Sequence, residues 1–228
     1  MSLRFYNNLV RSVSDFRPYT PPGIIMRHDD SLINRDDRLI FLRNRVILDS
    51  LRRALEDMGY LISSEKDARS GRSDIYFGDE WEGGVAAQLW LKSGTVVFSR
   101  NEDSGLKEME SQGFSSLDFR LLCLQTHYRL PLVFSWRALE SARTDRRHFL
   151  ELAGALKKQG SGVGNWAGLA AYRKRFSDAL ANDLNWPAAL SSIWDCLRPG
   201  ALSPGSQLRM LSIIDPIWGL QVFDSSSS

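Results

Sequence analysis

The sequence predicts an α/β layer over residues 1–115, followed by an α-helical region over residues 116–224. Three observations carry that reading. Short apolar runs punctuated by Gly and Pro flank one long amphipathic segment in the first part. Their order, strand then helix then strand, suits parallel pairing in a small sheet. From Leu117 onward apolar residues recur at helical spacing, and clusters of Pro and Gly mark the breaks.

Residues 3–6 predict a strand, and a loop runs to Pro21, Pro22 and Gly23 before an apolar strand at 24–26. Residues 43–58 predict a helix, because Val46, Ile47, Leu51, Leu55 and Met58 share one stripe. Gly59 stops it, and a strand resumes over 60–63. Strand-like runs at 74–77 and 87–98 lie on either side of an acidic, glycine-bearing loop at 78–84. Helices are predicted at 117–130, where Pro131 breaks the run, and then at 135–158, 166–182, 187–197 and 207–220. Pro187 suits the first turn of its helix, where the missing N–H costs nothing. The glycines of 160–164 join two helices and follow no strand, so they do not read as a phosphate loop. The serines of 225–228 predict a disordered polar tail.

Composition narrows the class. With 228 residues, 43% of them hydrophobic, the chain can bury a real core. A net charge of +2 neither favours nor excludes nucleic acid, since clustered patches decide that. Cys123 and Cys196 sit in apolar helical context and read as buried thiols in a reducing compartment. No apolar run approaches the roughly 18 residues of a membrane span, so no membrane association is expected. No signal-peptide pattern opens the chain, and a cytoplasmic protein is the expectation.

The motifs point to one family. "THYR" at 126–129, leading into "PLVFSW", resembles a helix ending A-H-Y-R before P-L-N-F-S in the cysteinyl-tRNA synthetases, which are class I aminoacyl-tRNA synthetases. "LRFYNNLVRSVSDF" at 3–16 resembles that family's opening L-x-x-Y-N-T-L-T-R, and "DSLRRALEDMGYLI" at 49–62 its first long helix and second strand. "SDIYF" at 73–77 is similar to G-G-x-D-L-x-F, and "QLWLKSG" at 88–94 to Y-W-L-H-N-G. "FSDALANDLNWPAAL" at 176–190 is similar to F-x-x-A-M-x-D-D-F-N-T-P-x-A-L, and "IIDPIWGL" at 213–220 to the end of the helical domain. The resemblance implies a reduced Rossmann-like nucleotide-binding layer followed by a C-terminal α-helical domain.

The departures bear on function. The family activates its amino acid with ATP through an H-I-G-H turn and a K-M-S-K-S loop, which stabilise charge on the transferred phosphates. Counting back from Gly59 and Tyr60, the H-I-G-H positions hold Arg38, Leu39, Ile40 and Phe41. Between Gly94 and Gln112 no Lys-Ser pair stands in for K-M-S-K-S; Arg100 is the cation there, beside Glu102 and Asp103. The family's zinc ligands are also replaced, with Asp29 where the first Cys would fall and no histidine in "FGDEWEG" at 77–83. Zinc prefers thiolate and imidazole, so neither zinc nor another cofactor is expected, and nothing here supports ATP binding. The chain stops near Asp224, before the position of the family's anticodon-reading domain.

Within the resemblance, His28, Asp29 and Asp30 lie on one loop and Asp79, Glu80 and Glu82 on another that the family's fold brings close. Such carboxylates suit Mg²⁺ or Ca²⁺, although two solvated acidic loops are the simpler reading. Gly71 and Asp74 correspond to the G-G-x-D segment near the nucleotide ribose, with Arg72 replacing the second glycine, and Trp90 to the tryptophan near the amino-acid pocket. These residues form the candidate ligand pocket, and no catalytic residue is assigned. His127 and Arg129 read as satisfying carbonyls at the end of their helix. Arginines 137, 143, 146 and 147, with "YRKRF" at 172–176, offer RNA contact only if they are not simply solvated.

The expectation is therefore a non-catalytic binding or regulatory protein, a pseudoenzyme rather than an active cysteine–tRNA ligase. Its partner would be an unidentified small molecule or protein. Two alternatives stay open: a repurposed ligase or transferase with a non-tRNA acceptor, and an interaction partner of a true synthetase.

Overall fold

A computed structural model describes residues 2–29, 38–64, 72–80, 86–98, 105–159 and 166–223. The chain opens with an antiparallel hairpin of β1 (Leu3–Asn7) and β2 (Ser12–Phe16), in which Leu3 pairs with Phe16 and Asn7 with Ser12. The strands β3 (Gly23–His28), β4 (Leu61–Ser64), β5 (Arg72–Phe77) and β6 (Ala86–Leu91) then form a parallel sheet in the order β4-β3-β5-β6. Helix α1 (Leu39–Asp57) crosses from β3 to β4. It begins four residues ahead of the apolar stripe read from sequence, because Leu39 is itself buried. Gly59 ends it at φ +91°, a backbone region that glycine occupies freely.

A second, two-stranded parallel sheet pairs β7 (Val96–Phe98) with β8 (Leu132–Phe134), in register from Val96↔Leu132 to Phe98↔Phe134. Between these strands lie α2 (Leu106–Ser111) and α3 (Ser116–Leu124). Helix α3 starts on a capping box, with the Ser115 hydroxyl accepting from the Leu117 N–H and Asp118 accepting from the Ser115 N–H. The helical region follows as α4 (Trp136–Gln159), α5 (Trp166–Ala181), α6 (Trp186–Leu197) and α7 (Pro204–Trp218). Asn185 and Ser203 cap α6 and α7, each just before a proline-containing first turn.

One continuous apolar core runs from Leu3, Ile24 and Phe77 through Phe134 to Phe149, Phe176 and Trp218. Phe134 is its junction: its ring meets Phe98 at 5.8 Å, Phe119 at 6.4 Å and Trp136 at 5.4 Å. None of the described helices is long and apolar enough to cross a membrane.

Three local expectations need correction. The strand β2 and the short helix α2 were not legible, since neither carries a clear period. The helix expected over 117–130 ends at Leu124 with Gln125 as its cap. Its continuation is a turn, because the carbonyls of His127, Tyr128 and Leu130 are held by another part of the chain.

Candidate functional site

The order β4-β3-β5-β6 puts the change of winding direction between β3 and β5, where open parallel sheets leave a crevice beyond the carboxyl ends of their strands. His28 stands level with Phe77, and Phe77 with Leu91. Backbone bonds continue past the strands, from the Asp29 N–H to the Phe77 carbonyl at 3.0 Å and from the Gly78 N–H to the Leu91 carbonyl at 3.1 Å. Of the candidate residues, His28, Asp29, Asp79 and Glu80 are thus brought to one crest. Asp30, Gly71 and Glu82 lie outside the described residues, as do Arg100, Glu102 and Asp103.

Trp90 and Asp74 are tied into the scaffold, and Asp79 and Glu80 face solvent. Trp90 is half-buried and donates its Nε1–H to the Gly78 carbonyl at 2.8 Å, while its backbone is bonded to Asn7 and Asn8 of the hairpin. Asp74 is buried inside β5, and its two oxygens accept from the Tyr19 N–H at 2.6 Å and the Ile25 N–H at 2.8 Å. That carboxylate fastens the loop before β3 to the sheet. Asp79 is 48% exposed and pairs with Lys92 at 3.6 Å, and Glu80 is exposed. Among the described residues no three His, Cys, Asp or Glu side chains gather closely enough to hold a metal ion. Asp79→Ala is expected to change unfolding free energy by less than about 1 kcal/mol in urea titrations, because an exposed pair contributes little. A loss well above that would mark the loop as a working site.

The start of α1 is the other place where class I chemistry would sit. Arg38 precedes the helix without a side-chain cap, stacks over the Phe41 ring at 4.7 Å and bridges by its backbone to Gly105. Leu39 is fully buried. A helix N-terminus binds phosphate through open N–H groups and close backbone approach. Here the first turn carries the apolar side chains of Leu39, Ile40 and Phe41, and the residue before it is bridged to Gly105.

Two buried clusters were missed by sequence reasoning. The Arg43 guanidinium, 0% exposed, donates to the carbonyls of Gly94 (2.7 Å), Thr95 (2.7 Å), His127 (3.5 Å), Tyr128 (3.3 Å) and Leu130 (2.6 Å). It pins the segment after β6 against the turn after α3. Gly94 makes the approach possible, since a Cβ there would fall 2.3 Å from the Leu130 carbonyl oxygen.

The second cluster surrounds Asp183, between α5 and α6. Its carboxylate accepts from the Tyr128 hydroxyl at 2.8 Å, from Arg129 at 2.6 and 2.8 Å, and from the Tyr6 N–H at 2.9 Å; His127 Nε2 stands 3.6 Å away. Arg129 also lies 4.5 Å over the Tyr6 ring. His127 and Arg129 therefore serve this carboxylate rather than the end of their helix, a correction with a plain cause. Asp183 is almost fully buried, and a dry carboxylate gathers the donors within reach. Asp183 and Leu184 both adopt positive φ, 60° and 48°.

Burial pushes the His127 pKa down, Asp183 pulls it up and Arg129 pushes it down, with a net lowering from 6.5. The unfolded chain therefore binds the proton more tightly than the folded one. Stability is expected to fall as pH drops from about 6.5 toward the lowered folded value. His127→Gln should flatten that part of a Tm-against-pH curve, and an unchanged slope would refute the assignment.

Burial also raises the thiol of Cys123 to about 12 and that of Cys196 to about 11, so both remain protonated and unreactive at neutral pH. The arginines of the helical region are largely committed: Arg143 to Glu140, Arg146 to Asp118, Arg147 to Glu151, Arg173 to Asp57 and Arg175 to Asp195.

No family model matches the chain. Among curated proteins, it is 30% identical over 147 residues to the cysteine–tRNA ligase of Novosphingobium aromaticivorans, a match covering 60% of this chain and 30% of that protein. It is 31% identical over 136 residues to the enzyme of Borreliella afzelii, covering 54% and 28%, and 30% identical over 141 residues to that of Treponema pallidum, covering 54% and 27%. The chain spans less than a third of the length of these relatives. Among solved structures, the LeuRS chain of an Agrobacterium radiobacter K84 agnB2 complex with tRNA and LeuAMS superposes with a TM-score of 0.49 and 14% identity, over 87% of this chain and 26% of that one. That superposition adds nothing to the sequence likeness. On the sequence likeness, this chain is a partial homologue of the cysteine–tRNA ligases.

Proposed function

We propose that this chain is a non-catalytic binding or regulatory protein, a pseudoenzyme that keeps a class I synthetase-like layer without amino-acid activation. The single observation that carries this reading is the start of α1. Leu39 is fully buried there, Arg38 stacks on Phe41, and the backbone of Arg38 bridges to that of Gly105. Activation needs donors placed where charge develops on the phosphates. Here Leu39, Ile40 and Phe41 are apolar, and the guanidinium of the exposed Arg38 lies over the Phe41 ring instead. The half-exposed Asp79–Lys92 pair and the scaffold roles of Asp74 and Trp90 favour the same reading over a repurposed pocket. Zinc plays no part in it, because Asp29 is a poor substitute for a thiolate. Carboxylate partners of Arg143, Arg146, Arg147, Arg173 and Arg175 favour an ion-paired face over an RNA surface, although Arg137 is exposed. The buried, protonated thiols suit a reducing cytoplasm.

The test is cysteine-dependent ATP–pyrophosphate exchange with the purified chain. The expected rate equals that of a buffer control. Exchange clearly above that control would overturn the proposal and restore the ligase reading.

A further inference from the structure

We infer that a half-open cavity between α1, α2 and α3 is a binding site for a small organic carboxylate with an apolar tail. This site lies apart from the sheet crest, it adjoins the first turn of α1 through Leu42, and it stands whether or not synthetase chemistry survives. The cavity has a volume of about 290 Å³. Its walls are Leu42 and Val46 from α1, Leu106 and Met109 from α2, and Phe119 from α3. Arg45, Asp49, Ser116 and Arg120 form its polar side.

The polar side explains the choice of an anion. Asp49 is shared by three guanidiniums: Arg52 at 3.1 Å, Arg53 at 2.7 Å and Arg120 at 2.7 Å. Glu56 takes part of Arg52, at 3.2 Å, which leaves three cations against two carboxylates. Burial dominates at Arg120 and lowers its pKa, even though Asp49 pulls the other way. Its Nη2 is buried and touches Asp49 without a well-aligned hydrogen bond. A second anion would therefore gain charge compensation beside Arg45 and Arg120, which both line the cavity.

Arg120 is also held ready. Its Nε donates to the Trp218 carbonyl, and the backbone of Gly219 packs on its guanidinium, where a Cβ would fall 3.0 Å from three of its atoms. A fixed guanidinium loses little freedom on binding. Ser116, in the first turn of α3, adds a hydroxyl and the positive end of that helix. The apolar walls then suit a phenyl or branched aliphatic tail.

The probe is 3-phenylpropionate, with 3-phenylpropionamide as its uncharged counterpart, titrated into the isotope-labelled full chain while methyl resonances are followed. A ligand of this size in such a site should bind with a Kd on the order of 1 mM. The expected result is saturable shifts at Leu42, Val46, Leu106 and Met109, with the amide at least about 10-fold weaker. Val46→Phe, which fills the cavity, should abolish them. Shifts absent up to about 10 mM, or scattered over other residues, would overturn the inference, and so would equal binding of the amide. The residue-by-residue map on the unaltered chain decides the matter even if Val46→Phe does not fold.

Discussion

Arg43→Leu is expected to lower the unfolding free energy by about 4 kcal/mol or more, read as a drop in the urea midpoint at unchanged slope. The estimate follows from what the guanidinium does. Its three shortest bonds, to Gly94, Thr95 and Leu130, are charge-assisted, and each such bond contributes roughly 1.5–3 kcal/mol. Leucine removes the cost of burying a charge, which offsets part of the loss. It takes the donor from the Gly94 and Leu130 carbonyls, while those of Thr95, His127 and Tyr128 keep the backbone N–H groups of Leu132, Leu130 and Gly94. Arg43→Lys should recover less than half, because one ammonium cannot reach both the segment after β6 and the turn before β8. A loss under about 1 kcal/mol would show that water or a backbone shift replaces the clamp.

Asp183→Ala is expected to cost about 3–5 kcal/mol, as removing one partner of a buried charged cluster does. Three consequences should appear together. The Tyr128 hydroxyl loses its acceptor, the Tyr6 N–H loses its bond, and Arg129 swings toward solvent. With no carboxylate to hold them, Asp183's neighbours have no reason to keep two consecutive positive-φ residues, a geometry costing about 1–3 kcal/mol for each. Hydrogen exchange at the Tyr6 amide should therefore accelerate more than exchange in α7. Asp183→Asn keeps an acceptor for Tyr6 or Tyr128 but not the charge, and should fall between wild type and Ala. Uniform acceleration across the chain would mean the network is not a local fastener of the hairpin.

These two residues also show where sequence reasoning stopped. Arg43 lies on the stripe of α1 that faces the sheet, yet a lone arginine at a helical position ordinarily signals a solvated face. Its role depends on carbonyls 51 to 87 residues further along the chain. Asp183 stands in a block that matched the family, but no local pattern tells a buried acceptor from a turn carboxylate. Both partnerships are long-range, and spacing along the chain carries no information about them. The helix expected to run to Pro131 failed for the same reason. Local propensity favoured continuing it, while Arg43 and the Gly94 N–H claimed the carbonyls that a helix would have used.

The placement of the candidate residues was partly legible. The fold brings the ends of β3 and β5 level, as the order of motifs implied, and so His28 and Asp29 share a crest with Asp79 and Glu80. Sequence alone could not say that Asp74 is spent on two backbone N–H groups or that Trp90 braces Gly78. A carboxylate in a strand looks the same whether it faces a ligand or its own loop.

What the sequence by itself determined is the class of architecture. Apolar periods of two and 3.6, with Gly59 closing α1 and Pro187 opening α6, are local properties, and local sterics and burial suffice to turn them into a small parallel sheet followed by helices. The residues at the positions of H-I-G-H were equally readable, because a resemblance compares side chains one position at a time. The tertiary structure decided which polar groups are dry, since desolvation is a property of everything that packs around a residue. Arg43, Asp183 and Arg120 acquire their roles only when segments far apart in the chain exclude water from them together.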